Sequence, residues 1–232
     1  MLADRLRRAY GRLLGCGPGA LLPALAAAVG PAGHVTGVDG DPAAVETAHA
    51  YTAGESVVDV HSGRADDTGL EPGSFDAVML RHVLAHNGGR ELAIVRHLAT
   101  LLRPGRLLYL VDVDGTAMRT VPAQDADLDD LEERYRRFHA ARGNDLQAGL
   151  HLADWLREAG QEVLEFPRDY TIVQPPPGVR PPSWAARVAM VSAGVATEAD
   201  VARWAAALER AEAAPTPLTV FTPTFAGVGR KS

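Results

Sequence analysis

Residues 15–19 read Gly-Cys-Gly-Pro-Gly, and the run Val-Thr-Gly-Val-Asp ends in a carboxylate, Asp39, 22 residues after Gly17. Glycine turns with positive φ and lets a ligand lie against bare peptide, because no Cβ intervenes. A helix opening directly after such a turn offers free N–H groups and the positive end of its dipole to anionic ligand groups. A carboxylate about 20 residues further on is placed to meet ribose hydroxyls. The combination predicts a nucleoside-cofactor site, with Gly15, Cys16, Gly17 and Gly19 along the turn and Asp39 and Gly40 at the sugar. Dinucleotide folds use G-x-G-x-x-G here, whereas this turn is G-x-G-x-G with Pro18 fixing φ where the helix should begin. A nicotinamide-dependent oxidoreductase is therefore the less favoured reading.

A second set of reactive side chains lies in Met79-Leu80-Arg81-His82-Val83-Leu84-Ala85-His86. His82 and His86 are four apart and would share a face if helical. No glutamate follows His82 and no third ligand is evident, so proton transfer by a neutral imidazole is favoured over a metal. Asp112 and Asp114 would end a strand on one face, placed to bind an acceptor hydroxyl or amine or simply to sit in solvent. The polar stretch His139, Arg142, Gly143, Asn144, Asp145 reads as a helix stop and cap that could also face an acceptor. Trp155, Trp184 and Trp204 sit in apolar helical patterns and read as core.

The elements needed to position these groups are legible as alternation. Apolar runs bounded by Gly and Pro predict strands near 10–14, 34–38, 56–60, 75–80 and 106–112, with helices near 20–29, 42–53 and 89–102 between them. The last helix must stop before Pro104-Gly105. Helices follow at about 128–142 and 149–159, then strands near 162–173 and 218–225, the second read as an antiparallel edge strand. The proline-rich run 175–182 admits neither ladder nor helix. Beyond it come helices near 183–194 and 198–213, the latter opened by a Thr197–Asp200 capping box.

Four segments in order, GCGPG at 15–19, HVTGVDGDPAAV at 34–45, PGSFDAVMLRHVLAH at 72–86 and LLRPGRLLYLVD at 101–112, resemble the class I S-adenosylmethionine-dependent methyltransferases, particularly the branch containing menaquinone and ubiquinone methyltransferases. The resemblance implies a single α/β domain over 1–232. Its Rossmann-like seven-stranded sheet would be mostly parallel with an antiparallel last strand, and a helical insert would precede that strand. Residues 10–112 would be the donor-binding core, 113–160 a helical acceptor-side region and 175–214 a cap insert that either covers the acceptor or serves packing or dimerisation. The implied function is methyl transfer from S-adenosylmethionine to a small organic molecule, with specialised metabolism as the setting; the alternative is a donor-binding protein of the same fold that no longer methylates. His82 becomes the candidate catalytic base, Arg81 joins the donor side, and His86, Asp112 and Asp114 are acceptor candidates. Relatives carry an acidic residue before an alanine after the third strand. Here Arg64 fills that slot, leaving Ala65 and Asp66 as the adenine-side candidates. Leu13 stands where an aspartate is common, and the leader ahead of the first strand is short.

A net charge of −6 argues against nucleic acid, whose binding needs clustered Lys and Arg. Cys16 is the single cysteine, so no internal disulfide forms, and no apolar run is long enough to span a bilayer. A cytoplasmic protein, free of membrane and open to homodimerisation, is the simplest expectation.

Overall fold

A computed structural model of the chain describes residues 11–14, 16–121, 125–176, 178–216 and 218–232. Strands β1 (Gly11–Leu14), β2 (Val35–Asp39), β3 (Val58–Ser62), β4 (Phe75–Arg81) and β5 (Leu102–Val113) run parallel in the order β3-β2-β1-β4-β5. β4 is the central example of a strand covered on both faces: its first six residues, Phe75 to Leu80, are all buried. Val78 and Leu80 face one way, with Leu108 and Leu110 of β5. They pack on Ile94, Val95 and Leu98 of helix α3 (Glu91–Leu101) and on Leu152 and Leu156 of helix α5 (Ala148–Glu158). Ala77, Met79 and Tyr109 face the other way, against Leu22 and Leu25 of helix α1 (Leu22–Val29) and Ala48 of helix α2 (Pro42–Tyr51). Each such Leu or Val contributes about 1.5–3 kcal/mol of burial, which fixes the strand ends that carry the site.

Local signals set the helix starts. Asp41 accepts from Ala43 N at 3.0 Å while Pro42 occupies the first turn of α2. α3 stops at Leu101, as the proline ahead of it requires, and β5 begins at once; a register shift between Phe75 and Ala77 of β4 absorbs the residues around Pro104-Gly105.

The sheet departs from the expected seven strands. Nine are present among the described residues, because the run predicted over 162–173 breaks at Phe166-Pro167 into β7 (Gln161–Glu165) and β8 (Arg168–Val173), and a short β6 (Arg119–Val121) adds to the sheet. The last strand, β9 (Thr219–Lys231), is antiparallel but not at the edge. β5 pairs with one side of it, and β7 and β8 pair with the other. β6 also pairs with β9, opposite β8 at Val220 and Phe221, which places it on the β5 side.

The helix expected over 183–194 is broken at Ala186 into α6 (Pro182–Ala185) and α7 (Arg187–Ser192), whereas α8 (Glu198–Ala213) opens on the anticipated capping box. These helices pack on α4 (Ala126–Ala141) and form a core of their own from Leu131, Phe138, Met190 and Trp204. Trp204 is fully buried, and its indole N–H donates to Asp130 at 3.1 Å. Arg203 bridges Asp127, Asp130 and Asp200 at the rim. The 175–214 insert is thus joined to α4 by an apolar centre with a charged border. Among the described residues no helix is long and apolar enough to cross a membrane.

Candidate functional site

The first crossover is built on backbone. Cys16 N donates to Val38 O at 3.1 Å and Gly19 N to Cys16 O at 3.0 Å, closing the turn before α1. Gly17 (φ 51°) and Gly19 (φ 87°) both occupy the left-handed region that a side chain disfavours. Asp39, at the end of β2, accepts from Gly17 N at 2.8 Å through Oδ2 and from Asp41 N at 3.0 Å through Oδ1. Each carboxylate oxygen has room for two bonds, so each keeps one position for a ligand. Gly15 and the residues ahead of β1 lie outside the described residues. Leu13 pairs through its backbone with Gly37 and Met79. Cys16 is buried, and its thiol is pushed up to about 11, first by burial and then by the Asp39 charge, so it stays protonated.

Beside Asp39 opens a cavity of about 230 Å³. Val38, Asp39 and Gly40 supply one wall and Gly63, Arg64 and Ala65 after β3 another; Val83, Asn87 and Arg90 close it from the segment after β4. A Cβ on Gly63 would lie 2.9 Å from Val38 Cγ1 and 3.1 Å from Thr68 O, so that turn has no room for a side chain. Asp66 is held by Arg64 and Arg90 together, which keep its carboxyl down at about 2. It therefore acts as the support of two guanidinium groups, with Ala65 rather than Asp66 on the cavity wall.

The acceptor-side expectations fare unevenly. His82 N donates to Val111 O at 2.9 Å, and the residue adopts φ 55°, alone among the described non-glycine residues in having a positive φ. The residue is exposed. Surrounding protein still pushes it down to about 4, followed by the charges of Arg81 and His86, so it is neutral at physiological pH. His86 ends a three-residue 3-10 turn (Leu84–His86), so the shared helical face expected for the two histidines does not form. It meets instead the ring of His139, with centroids 5.0 Å apart. Arg81 sits at the exposed end of β4.

Asp112 and Asp114 do not present an acceptor surface. Asp112 is 1 % exposed and accepts from Val113 N and, across the chain, from Ala85 N at 3.3 Å; burial raises its carboxyl. It anchors the segment after β4. Asp114 is buried too, and its Oδ1 caps a turn by accepting from Thr116 N, Thr116 Oγ1 and Ala117 N. The polar junction after α4 has a comparable task. Asn144 Oδ1 accepts from Gly88 N at 3.1 Å, and its Nδ2 lies 2.8 Å from His139 Nδ1, which clamps the segment after β4 to the end of α4. Burial lowers His139 to about 4, followed by His86 and Arg142.

Asp39, Gly40 and Ala65 thus line one crevice, with Gly17 bonded to Asp39 beside it, Gly19 turned against Ala48 and Leu22, Asp66 behind Ala65, and His82 and His86 in the segment that continues to the far wall. Sequence reading missed Val83, Asn87 and Arg90. The available signal was slight: Asn87 and Arg90 flank a Gly-Gly pair just ahead of α3.

Residues 13–105 match the methyltransferase-domain family. A ubiquinone biosynthesis O-methyltransferase of Xanthomonas campestris pv. campestris is 38% identical over 105 residues, covering 44% of this chain and 42% of the relative. The chain spans less than half the length of the curated relatives it matches. Among solved structures, the YcgJ protein of Bacillus subtilis superposes with TM-score 0.61 at 17% identity, over 99% of this chain and 96% of that one. The [4+2]-cyclase SpnF superposes with TM-score 0.53 at 21% identity, over 99% and 80%. The turn from Cys16 onward, Asp39 and strands β2 to β4 all lie within residues 13–105, the segment similar to a methyltransferase domain, and the chain shares its fold with the solved structures on which it superposes.

Proposed function

We propose that this chain transfers a methyl group from S-adenosylmethionine to a small organic acceptor, with specialised metabolism as the setting. The observation that carries the reading is the Asp39 carboxylate, which fixes the glycine turn while keeping one acceptor position per oxygen beside the cavity. Those two positions suit the two hydroxyls of a ribose. Gly17, whose Cβ position is open space, leaves the turn backbone bare for the amino-acid end of the cofactor, and Val38, Ala65 and Val83 give the cavity apolar walls for a flat base. Bound there, the cofactor supplies an electrophilic methyl group.

What the protein must add is alignment and proton removal. His82, neutral and open to water at the end of β4, is the base of this reading, taking the proton that an O–H or N–H acceptor releases. Asp112, through Ala85 N, and Asn144, through Gly88 N, hold the ends of the segment that carries His86 and Asn87. The α6–α8 insert, seated on α4, is the acceptor-side cover, and the domain divides into a donor core of 10–112, a helical region of 113–160 and this insert.

Calorimetric titration with S-adenosylmethionine and S-adenosylhomocysteine, followed by an acceptor panel read as S-adenosylhomocysteine release, tests the proposal. Binding with turnover is expected. Binding without turnover across a broad panel would favour a second reading, a non-methylating enzyme of the same fold. Arg64 in the acidic slot supports that reading, as does the fold shared with a [4+2]-cyclase. Binding of neither compound would end both.

A further inference from the structure

We propose that Asn87 reads the exocyclic amine of the adenine ring, in place of the carboxylate that Arg64 displaces. This rests on the reading of the cavity as an S-adenosylmethionine site. An adenine amine is a donor and requires an acceptor on the wall it faces. Arg64 and Arg90 carry donors only. Asp39 is tied to the glycine turn at the sugar end. Asp66, two residues after Arg64, has all four acceptor positions filled. Oδ1 takes Arg64 Nε at 3.1 Å and Arg90 Nη2 at 2.6 Å, and Oδ2 takes Arg64 Nη2 at 3.2 Å and Arg90 Nε at 3.1 Å.

With the free positions of Asp39 assigned to the sugar, Asn87 is the described lining side chain left with an acceptor to offer the base. Its Nδ2 donates to Val83 O at 2.7 Å. That bond fixes the orientation of the amide, since the flipped form would set two acceptor oxygens against each other. Oδ1 is therefore the free end, half-buried on a wall whose apolar parts are Val38, Ala65 and Val83. Arg90 spends Nε and Nη2 on Asp66 and retains Nη1 for a ring nitrogen. The usual polarity is thus rearranged: the acceptor comes from after β4, and the acidic residue is consumed in holding two cations.

The test compares S-adenosylhomocysteine with S-inosylhomocysteine, in which an oxygen replaces the amine, by calorimetry on the full chain. The wild type should prefer the adenine compound by about tenfold or more, because a carbonyl facing Oδ1 leaves the acceptor unpaired. Asn87→Ala should lose about tenfold in S-adenosylhomocysteine affinity and leave S-inosylhomocysteine unchanged. Asn87→Asp also loses the bond to Val83 O but keeps an acceptor, so it should retain the preference. A merely structural role would move both variants alike, and equal loss for both compounds in Asn87→Ala would overturn the assignment. A wild type that binds neither compound would overturn the cofactor reading itself, an outcome distinct from binding without discrimination by Asn87.

Discussion

Replacing Asp39 separates ligand binding from turn stability, because one carboxylate serves both. In Asp39→Ala the two positions assigned to ribose hydroxyls vanish. Charge-assisted bonds of this kind contribute about 1.5–3 kcal/mol, so S-adenosylhomocysteine should bind about 10- to 150-fold more weakly. The same change strips the acceptor from Gly17 N and from Asp41 N. Both amides lie where water can replace the lost oxygen, since Asp39 is only half-buried and its bond to Asp41 is exposed. The folding cost should therefore be about 1 kcal/mol rather than the 1–3 kcal/mol of a buried orphan, or a melting shift of about 2–4 °C for a chain of this length. Asp39→Asn keeps one neutral acceptor but must turn its Nδ2 toward one of the two backbone N–H groups. It should fall between wild type and alanine in affinity. Calorimetry for each variant, paired with a thermal melt, reads the two effects apart. An alanine variant that binds within twofold of wild type would remove Asp39 from the site, whatever the melt shows.

His82→Ala should lower turnover by about 10²–10⁴-fold while leaving donor affinity within twofold, measured by single-turnover methyl release beside calorimetry; equal turnover would make the residue structural. With its ring held at about 4, the proton-accepting form persists through neutral pH, so the His82-dependent rate should stay flat from about pH 6 to 8 and decline only as pH falls toward 4. A midpoint near the ordinary imidazole value would contradict the environment described. Gly63→Ala must push a Cβ against Val38 and Thr68; it should cost about 1–3 kcal/mol in a denaturant titration and weaken donor binding as the cavity wall shifts. Trp204→Ala leaves a large void in the insert and takes the indole donor from Asp130, which keeps Arg134 and Arg203, a loss of about 3–5 kcal/mol that limited proteolysis should locate in 175–214 before the sheet is cut.

The parts of the site legible in the sequence are those whose residue type is dictated by local geometry. Gly17 and Gly19 need positive φ, and the Thr197–Asp200 box closes within one turn; each is a short-range demand that leaves a mark at fixed spacing. Asp112 shows the opposite case. An aspartate at a strand end reads as exposed, yet it is buried because Ala85, 27 residues earlier, brings its N–H to it. The place of β9 was missed for the same reason: its pairing with β7 and β8 across the far side is a long-range fact, and a strand's own pattern does not say how many neighbours it has. Asn87 and Arg90 are the sharpest instance. Nothing in their spacing marks them as cavity residues until Arg90 folds back 24 residues to Asp66, and with Arg64 fills that carboxylate. The substitution that looked like a defect, arginine in an acidic slot, then acquires a physical consequence. On the proposed reading of the cavity, it makes the neighbouring aspartate a support rather than a ligand and moves the demand for an acceptor to the opposite wall, where Asn87 stands.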